Sequence, residues 1–366
     1  MPKILFDHQK FSTQHYGGIS RYFANIIQNM KADSNYKYKI GCLYSPNHYI
    51  KNEPQLLNNS IGRAFLTSKY GGKTYKVNKK YCEYLIGKNQ FDIFHPTYYD
   101  PYFIGKVKKP TVVTIHDMTH ERLPEYFWSE DDLTRNKRMN IEVADSIIAI
   151  SETTKRDLIT YSNVDPQKIV VIYHGIDLET PLSFQEVPNL TKRYFLYVGD
   201  RSGYKNFYRF LDAFHSLSLK EPDIEMILTG GGKIALADKE LIHRLKLQDK
   251  VKHLNVTDEQ LNYLYQNAIA FVYPSLHEGF GLPVLEAFKA GCPVLLSDTE
   301  CFREIGAEAV AYFDAYDFTS LLASMEKVLN DDLYRQSLIN SGNERLQDFP
   351  LDKSLQQTFD LYKSLL

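Results

Sequence analysis

The sequence predicts an α/β protein made of two Rossmann-like, doubly wound parallel-sheet domains facing an interdomain cleft. Three observations predict it. The chain has 366 residues, and single hydrophobic cores stop growing at roughly 250–300 residues. Short β-branched and aromatic runs alternate with longer amphipathic stretches from end to end. Strands apolar on both faces, with helices between them, require a parallel sheet covered on each side. The alternation pauses once, in "GIDLETPLSFQEVPNLTKR" from Gly175 to Arg193, which is polar, holds two prolines and shows no period.

In order, "KILF", "YKIGCLY", "FDIFH", "TVVTIH", "SIIAIS" and "KIVVIY" are the strands of the first half. Between the first two, "GISRYFANIIQNM" sets Ile19, Tyr22, Phe23, Ile26, Ile27 and Met30 at helical spacing. After the pause come "YFLYVG", "IEMILTG", "VKHLNV", "AIAFVYP", "PVLLS" and "AVAYF", with "KNFYRFLDAFHSL" and "DEQLNYLYQNA" as helices among them. From about 317 the tail is helical. These elements give domains at 1–177 and 193–348 joined by a linker at 178–192, with a terminal helix at 349–366 expected to return to the first domain. Ligands of such sheets bind outside the carboxyl ends of the strands, where strand order reverses. A cleft between two such domains is therefore the expected site.

Composition narrows the classes. Hydrophobic residues make up 43% and charged residues 24%, the balance of a soluble globular chain. A formal net charge of −2 lacks the basic footprint of a nucleic-acid binder, so no nucleic-acid partner is expected. Cys42, Cys82, Cys292 and Cys301 lie far apart with no CxxC pair, which reads as buried reduced thiols and gives neither a zinc site nor a disulfide framework. The opening "MPKILFDHQKF" has too short an apolar run for a signal peptide, and no run approaches the ~20 apolar residues of a membrane span. A cytoplasmic protein is expected.

The segment "HEGFGLPVLEAF" carries the chemistry. It follows the strand at 269–273, and its helix is expected to start at Pro283, a favoured first helical residue. Unsatisfied N–H groups at a helix start attract anions. Gly279 and Gly281 let a ligand approach the backbone, while Glu278 and Glu286 can accept hydrogen bonds from hydroxyls. Phosphate for the amides and sugar hydroxyls for the carboxylates describe a nucleotide sugar. The plainer alternative makes Glu286 a partner of the helix dipole and Glu278 a solvated loop residue.

The two glutamates seven residues apart resemble the signature of glycosyltransferase family 4, retaining enzymes of the GT-B fold. The stretch "LYQNAIAFVYPSLHEGFGLPVLEAFKAGCPVLLSD", from Leu264 to Asp298, is similar to that family in register. The likeness extends over most of the chain and is weakest between about 30 and 90. It implies Glu278 on the donor sugar, Glu286 on the nucleotide ribose, and the amides of Phe280, Gly281 and Leu282 near the transferred sugar and diphosphate. It further implies that Gly17 and Gly18 of "HYGGISRYF" cover the diphosphate, with Arg21 either structural or on the acceptor side. By the same resemblance His116 of "TVVTIHDMTHERLP" lies against the donor sugar, as a contact or a support of the transition state.

In "YVGDRSGYKNF", Arg201 and Lys205 follow a strand end, where a lysine acts as a point charge and an arginine as a fork on a diphosphate. Their bland reading is a surface charge pair. "LTGGGKIA" satisfies a dinucleotide fingerprint through Gly230, Gly232 and Ala235, but Asp249 precedes the next strand where an acidic residue should end it. It is read as a close-packed turn beside the nucleotide, and Asn255 and Val256 are expected to set backbone groups against the base. Lys69, Lys73, Lys76 and Lys80, interleaved with Tyr70, Tyr75, Tyr81 and Tyr84, suit either anionic lipid or, more simply, a solvated helix face.

The resulting expectation is a retaining hexosyltransferase with a nucleotide sugar as co-substrate, no other cofactor and no metal, since no Asp-x-Asp sits beside a strand end. The acceptor is a glycan or lipid-linked glycan. "ILFDHQKFSTQHYGGISRYF" is similar to bacterial enzymes of surface polysaccharide assembly, many using GDP-mannose, so a mannosyltransferase-like activity, as in lipopolysaccharide assembly, is favoured. Two alternatives stay open: a catalytically silent sugar-nucleotide binder of this fold, and a GT-B epimerase or phosphorylase.

Overall fold

A computed structural model of the chain describes every residue except 33, 34, 60, 61, 63–71, 130 and 192. The chain separates into two units, Met1–His174 with Asp352–Leu366, and Gly175–Leu351. Each strand run read from the sequence carries a strand.

In the first unit β1 (Lys3–Phe6), β2 (Lys37–Ile40) and β3 (Ile93–His95) pair in parallel in the order β2-β1-β3. A second parallel set runs β4 (Val112–Ile115), β5 (Ser146–Ala149), β6 (Ile169–Val171). A parallel bridge between Phe94 and Thr111 joins the two, and the Phe94 N–H donates to the Pro110 carbonyl at 2.9 Å. From β1 the chain moves outward to β2, then crosses back to β3 on the other side. Strand order therefore reverses between β1 and β3, and their carboxyl ends open a crevice there. β4 and β5 are buried along their whole length, as apolar runs covered on both faces must be.

The helix Leu351–Ser364 closes this unit. Its buried stripe is Ser354, Leu355, Thr358, Phe359 and Tyr362, a helical spacing on one face. Phe359 stacks on Tyr36 at 4.7 Å between ring centroids, and the Tyr362 hydroxyl shares a 2.6 Å hydrogen bond with His95 Nδ1. The helix Gly72–Lys88 buries Thr74, Asn78, Cys82 and Ile86 and exposes Lys73, Lys76, Lys80 and Tyr84. Lys69 and Tyr70 of the same basic stretch lie outside the described residues. Among the described residues no helix is long and apolar enough to cross a membrane. All four cysteines are buried and free, and burial pushes the thiols of Cys42, Cys82 and Cys292 up.

The second unit has one six-stranded parallel sheet, β12-β11-β10-β7-β8-β9. Its strands are β7 (Tyr194–Val198), β8 (Glu225–Thr229), β9 (Val251–Leu254), β10 (Ala270–Tyr273), β11 (Val294–Ser297) and β12 (Ala311–Phe313). Phe195, Tyr197, Phe207, Phe210, Phe214, Leu228, Val272 and Leu295 are among its core. The order reverses between β7 and β10. The polar stretch read as a linker is fastened to this unit. Lys289 donates to the carbonyls of Asp177 and Thr180, Asn262 donates to the Ser183 carbonyl at 3.0 Å, and the Gln185 N–H donates to the Glu259 carbonyl at 3.1 Å.

Candidate active site

The loop after β10 feeds the helix Leu282–Lys289, which starts one residue ahead of the expected Pro283. The reason is Gly281, which turns the chain at φ 105° and ψ 52°, a conformation strained for any residue with a side chain. Proline then occupies the first turn, where its missing N–H costs nothing. Val284, Leu285, Ala287 and Phe288 bury the inner face. Gly281 has no side chain to cap the helix. Pro283 lacks an N–H and that of Val284 donates to the Gly281 carbonyl at 2.8 Å, so the N–H groups of Gly281 and Leu282 are the ones suited to an anion. Phe280 is only 2% exposed, with its ring at 5.7 Å from that of Phe349, so it can offer a ligand backbone only. In a Gly281→Ala variant the new Cβ would meet Phe302 and Val284 at an ordinary 3.4 Å. The strain is in φ, and we expect a loss of about 1–3 kcal/mol in urea unfolding, with weaker binding of any anion at the helix start.

Glu278 projects from the same loop to Lys205, which follows β7. Their ion pair is 2.7 Å long, with side chains 11% (Lys205) and 12% (Glu278) exposed. The two loops are tied by the Leu276 N–H donating to the Tyr204 carbonyl at 2.8 Å. Burial by itself lowers the Lys205 ammonium, but Glu278, Tyr273 and Tyr204 outweigh it and hold it well above the usual lysine range. A charged lysine, a carboxylate and an uncapped helix start thus meet where strand order reverses. Glu286, on the helix, takes a 3.5 Å hydrogen bond from the Tyr265 hydroxyl.

Arg201 is used differently from Lys205. Its Nε lies 3.3 Å from Asp238, and its terminal nitrogens reach the carbonyls of Gly232 at 2.9 Å and Lys233 at 3.1 Å. With a side chain 4% exposed, it clamps the glycine turn after β8. Gly230, Gly231 and Gly232 are all left-handed, and a Cβ on Gly231 would stand 2.3 Å from Asp200 Cα. That close approach is what Gly231 serves. Asn255 is exposed and Val256 half-buried after β9, just before the capping box of Thr257 and Gln260.

The first unit holds the other expected residues. Gly17 precedes and Gly18 opens the helix Gly18–Ala32, and the Gly17 carbonyl accepts from Ser20 Oγ at 3.0 Å. His116 follows β4, 8% exposed, with its ring stacked 5.9 Å from His174. Its Nε2 is buried with no hydrogen-bond partner among the described residues. Burial, then His174, holds it well below the usual histidine range, so the ring is neutral at neutral pH. Sequence reasoning missed Asp238, which fixes Arg201, and Tyr273, beside Lys205. Nothing local marks either. Among the described residues no group of three or more His, Cys, Asp or Glu side chains is placed to hold a metal ion.

Two doubly wound units, one with a cation, a carboxylate and a helix start at its strand reversal, define the GT-B class of sugar transferases. Solved structures of that fold are similar across the chain. Sucrose-phosphate synthase from Thermosynechococcus elongatus aligns over 100% of this chain and 98% of its own at TM-score 0.76 and 19% identity. WaaG, titled a glycosyltransferase of lipopolysaccharide biosynthesis, aligns over 99% of each chain at TM-score 0.72 and 15% identity. The family "Glycosyltransferase Family 4" matches residues 16–180 and "Glycosyl transferases group 1" matches residues 179–345. The chain belongs to glycosyltransferase family 4 and is a hexosyltransferase. The Escherichia coli O-antigen chain mannosyltransferase B is 29% identical over 75% of this chain and 74% of its own. The Salmonella typhimurium O-antigen chain mannosyltransferase RfbU is 29% identical over 59% of this chain and 60% of its own.

Proposed function

We propose that the protein is a retaining mannosyltransferase that takes mannose from GDP-mannose and adds it to a glycan, free or lipid-linked, during bacterial surface polysaccharide assembly. The observation that carries this reading is the Lys205–Glu278 pair at 2.7 Å beside the uncapped start of the helix Leu282–Lys289. In it, Glu278 accepts hydrogen bonds from the donor sugar and Glu286 from the ribose. The diphosphate lies between the Lys205 ammonium and the N–H groups of Gly281 and Leu282 at the helix start. Arg201 serves by holding the turn Gly230–Gly232. The choice of mannose rests on the two O-antigen mannosyltransferases at 29% identity.

In this mechanism the bond from the anomeric carbon to the diphosphate breaks and a bond from the acceptor oxygen forms on the same face. The acceptor proton passes to an oxygen of the departing phosphate. Negative charge growing on that phosphate meets Lys205 and the amides, already oriented before reaction. No metal is assigned to this step. Thermal-shift titration with GDP-mannose, UDP-glucose and a dTDP-sugar tests the reading, because a ligand at a hundred times its Kd stabilises by about 2.7 kcal/mol. We expect GDP-mannose to give the largest shift and a chelator to leave turnover unchanged. A covalent sugar–enzyme adduct in mass spectrometry, or no shift with any donor, overturns it.

A further inference from the structure

The first unit has its own strand reversal, between β1 and β3, and a cavity of about 260 Å³ lies there. It is lined by Gln9, Lys10 and Thr13, which follow β1, by Tyr98–Asp100, which follow β3, and by Tyr75, Leu133 and Asn136. Pockets for drug-sized ligands measure roughly 300–1,000 Å³, so this one suits a single sugar ring. The walls are of the kind that recognises sugars, with tyrosine faces interrupted by amides and a hydroxyl.

The charges in it are unequally used. Asp100 is committed, accepting from Tyr75 at 2.6 Å, from Lys79 at 3.0 Å and from the Tyr102 N–H at 3.1 Å. Gln9 is committed too, its amide donating to Asp7 at 2.7 Å while its carbonyl accepts from the Asp100 N–H at 2.7 Å. Lys10 is not. Its ammonium lies 3.3 Å from the centre of the Tyr98 ring, and among the described residues no carboxylate comes within 4.0 Å of it. Burial lowers it to about 8, against a raising influence of Asp117. A half-buried cation with no carboxylate in contact is costly, and an anion arriving with a ligand would relieve that cost. The Asn136 side chain, also on the wall, has no protein hydrogen bond among the described residues and suits a sugar hydroxyl.

We propose that this cavity binds a sugar ring bearing a negatively charged group, carboxylate or phosphate, as part of the acceptor, with Lys10, held over the Tyr98 ring, paired to the charge and Asn136 on a hydroxyl. The proposal rests on the glycosyltransferase reading and deepens it by naming the acceptor's class. Saturation-transfer NMR on the full chain tests it with methyl glucuronide, mannose 6-phosphate and neutral methyl mannoside as probes. We expect one or both acidic sugars to bind at least ten times more tightly than the neutral one, and the two arms tell carboxylate from phosphate. Lys10→Met abolishes the preference, whereas Lys10→Arg keeps it. Thermal shift by GDP-mannose is measured on the same variants. It reports the donor site alone, so its absence in the wild type counts against the proposed donor and not against this cavity. Equal binding of all three sugars, binding of none, or an undiminished preference in a folded Lys10→Met variant overturns the proposal.

Discussion

Lys205→Met is expected to lower turnover by about 10²–10³-fold, the usual cost of removing one preorganised stabiliser of transition-state charge. Methionine keeps the length of the side chain and removes its charge. The variant also strands Glu278, whose pair with Lys205 is largely buried, and breaking such a pair by removing one partner costs about 3–5 kcal/mol. A loss of activity alone would therefore not separate chemistry from folding. The double variant Lys205→Met, Glu278→Gln separates them, because it leaves no uncompensated charge. We expect its urea midpoint to return towards the wild-type value while turnover stays low. Single-turnover release of the nucleoside diphosphate measures the chemical step. If the double variant regains turnover to within tenfold of the wild type, Lys205 is a structural ion-pair partner and the leaving group is stabilised elsewhere.

How much of this was legible in the chain depends on the range of the interaction. Strands such as β4, β5, β10 and β11 were visible because a parallel strand buried on both faces is an unbroken apolar run, and "FVY" or "VLL" can be little else between turn signals. Ends were less visible. "YKIGCLY" reads as one long strand, yet β2 stops at Ile40, and Gly41 packs so tightly that a Cβ there would be 2.5 Å from Cys82 Sγ. That contact joins residues 41 positions apart and leaves no local trace. Glu278 and Lys205 were found because each sits beside glycine, a strand end and a helix start, all features of near neighbours. Arg201 looked like Lys205 for the same reason. Its partners, the carbonyls of a left-handed glycine turn and Asp238, 37 residues away, decide its work. Lys10 was passed over entirely, since a cation in "DHQKF" gains meaning only from Tyr98, supplied by a later strand.

The first unit is expected to lose about 4 kcal/mol of stability between pH 6.5 and about pH 5. His95 and His174 are buried, and burial lowers each from 6.5 to about 3, with Arg21 adding to the effect on His174. The sign follows from which state binds the proton. An unfolded histidine takes up a proton as pH falls through about 6.5, whereas the folded one refuses it until about pH 3. Stability is thus fully present above 6.5, and each of the two removes about 1.4 kcal/mol for every unit below it. His116, lowered in the same direction, adds to the loss. Asp100 and Asp200, whose carboxyls are held below the usual range, do not titrate in this window. Against a typical total of roughly 5–15 kcal/mol, the effect is large. His95 also anchors the terminal helix through Tyr362 at 2.6 Å, so acid loosens that helix with the sheet. Urea melts at about pH 8, 6.5 and 5 measure it. His95→Gln, which keeps a neutral donor and acceptor, should reduce the fall in midpoint between the two lower values by roughly a third to a half. A wild-type midpoint unchanged from 6.5 to 5 would mean that water reaches these rings and that they protonate in the folded chain.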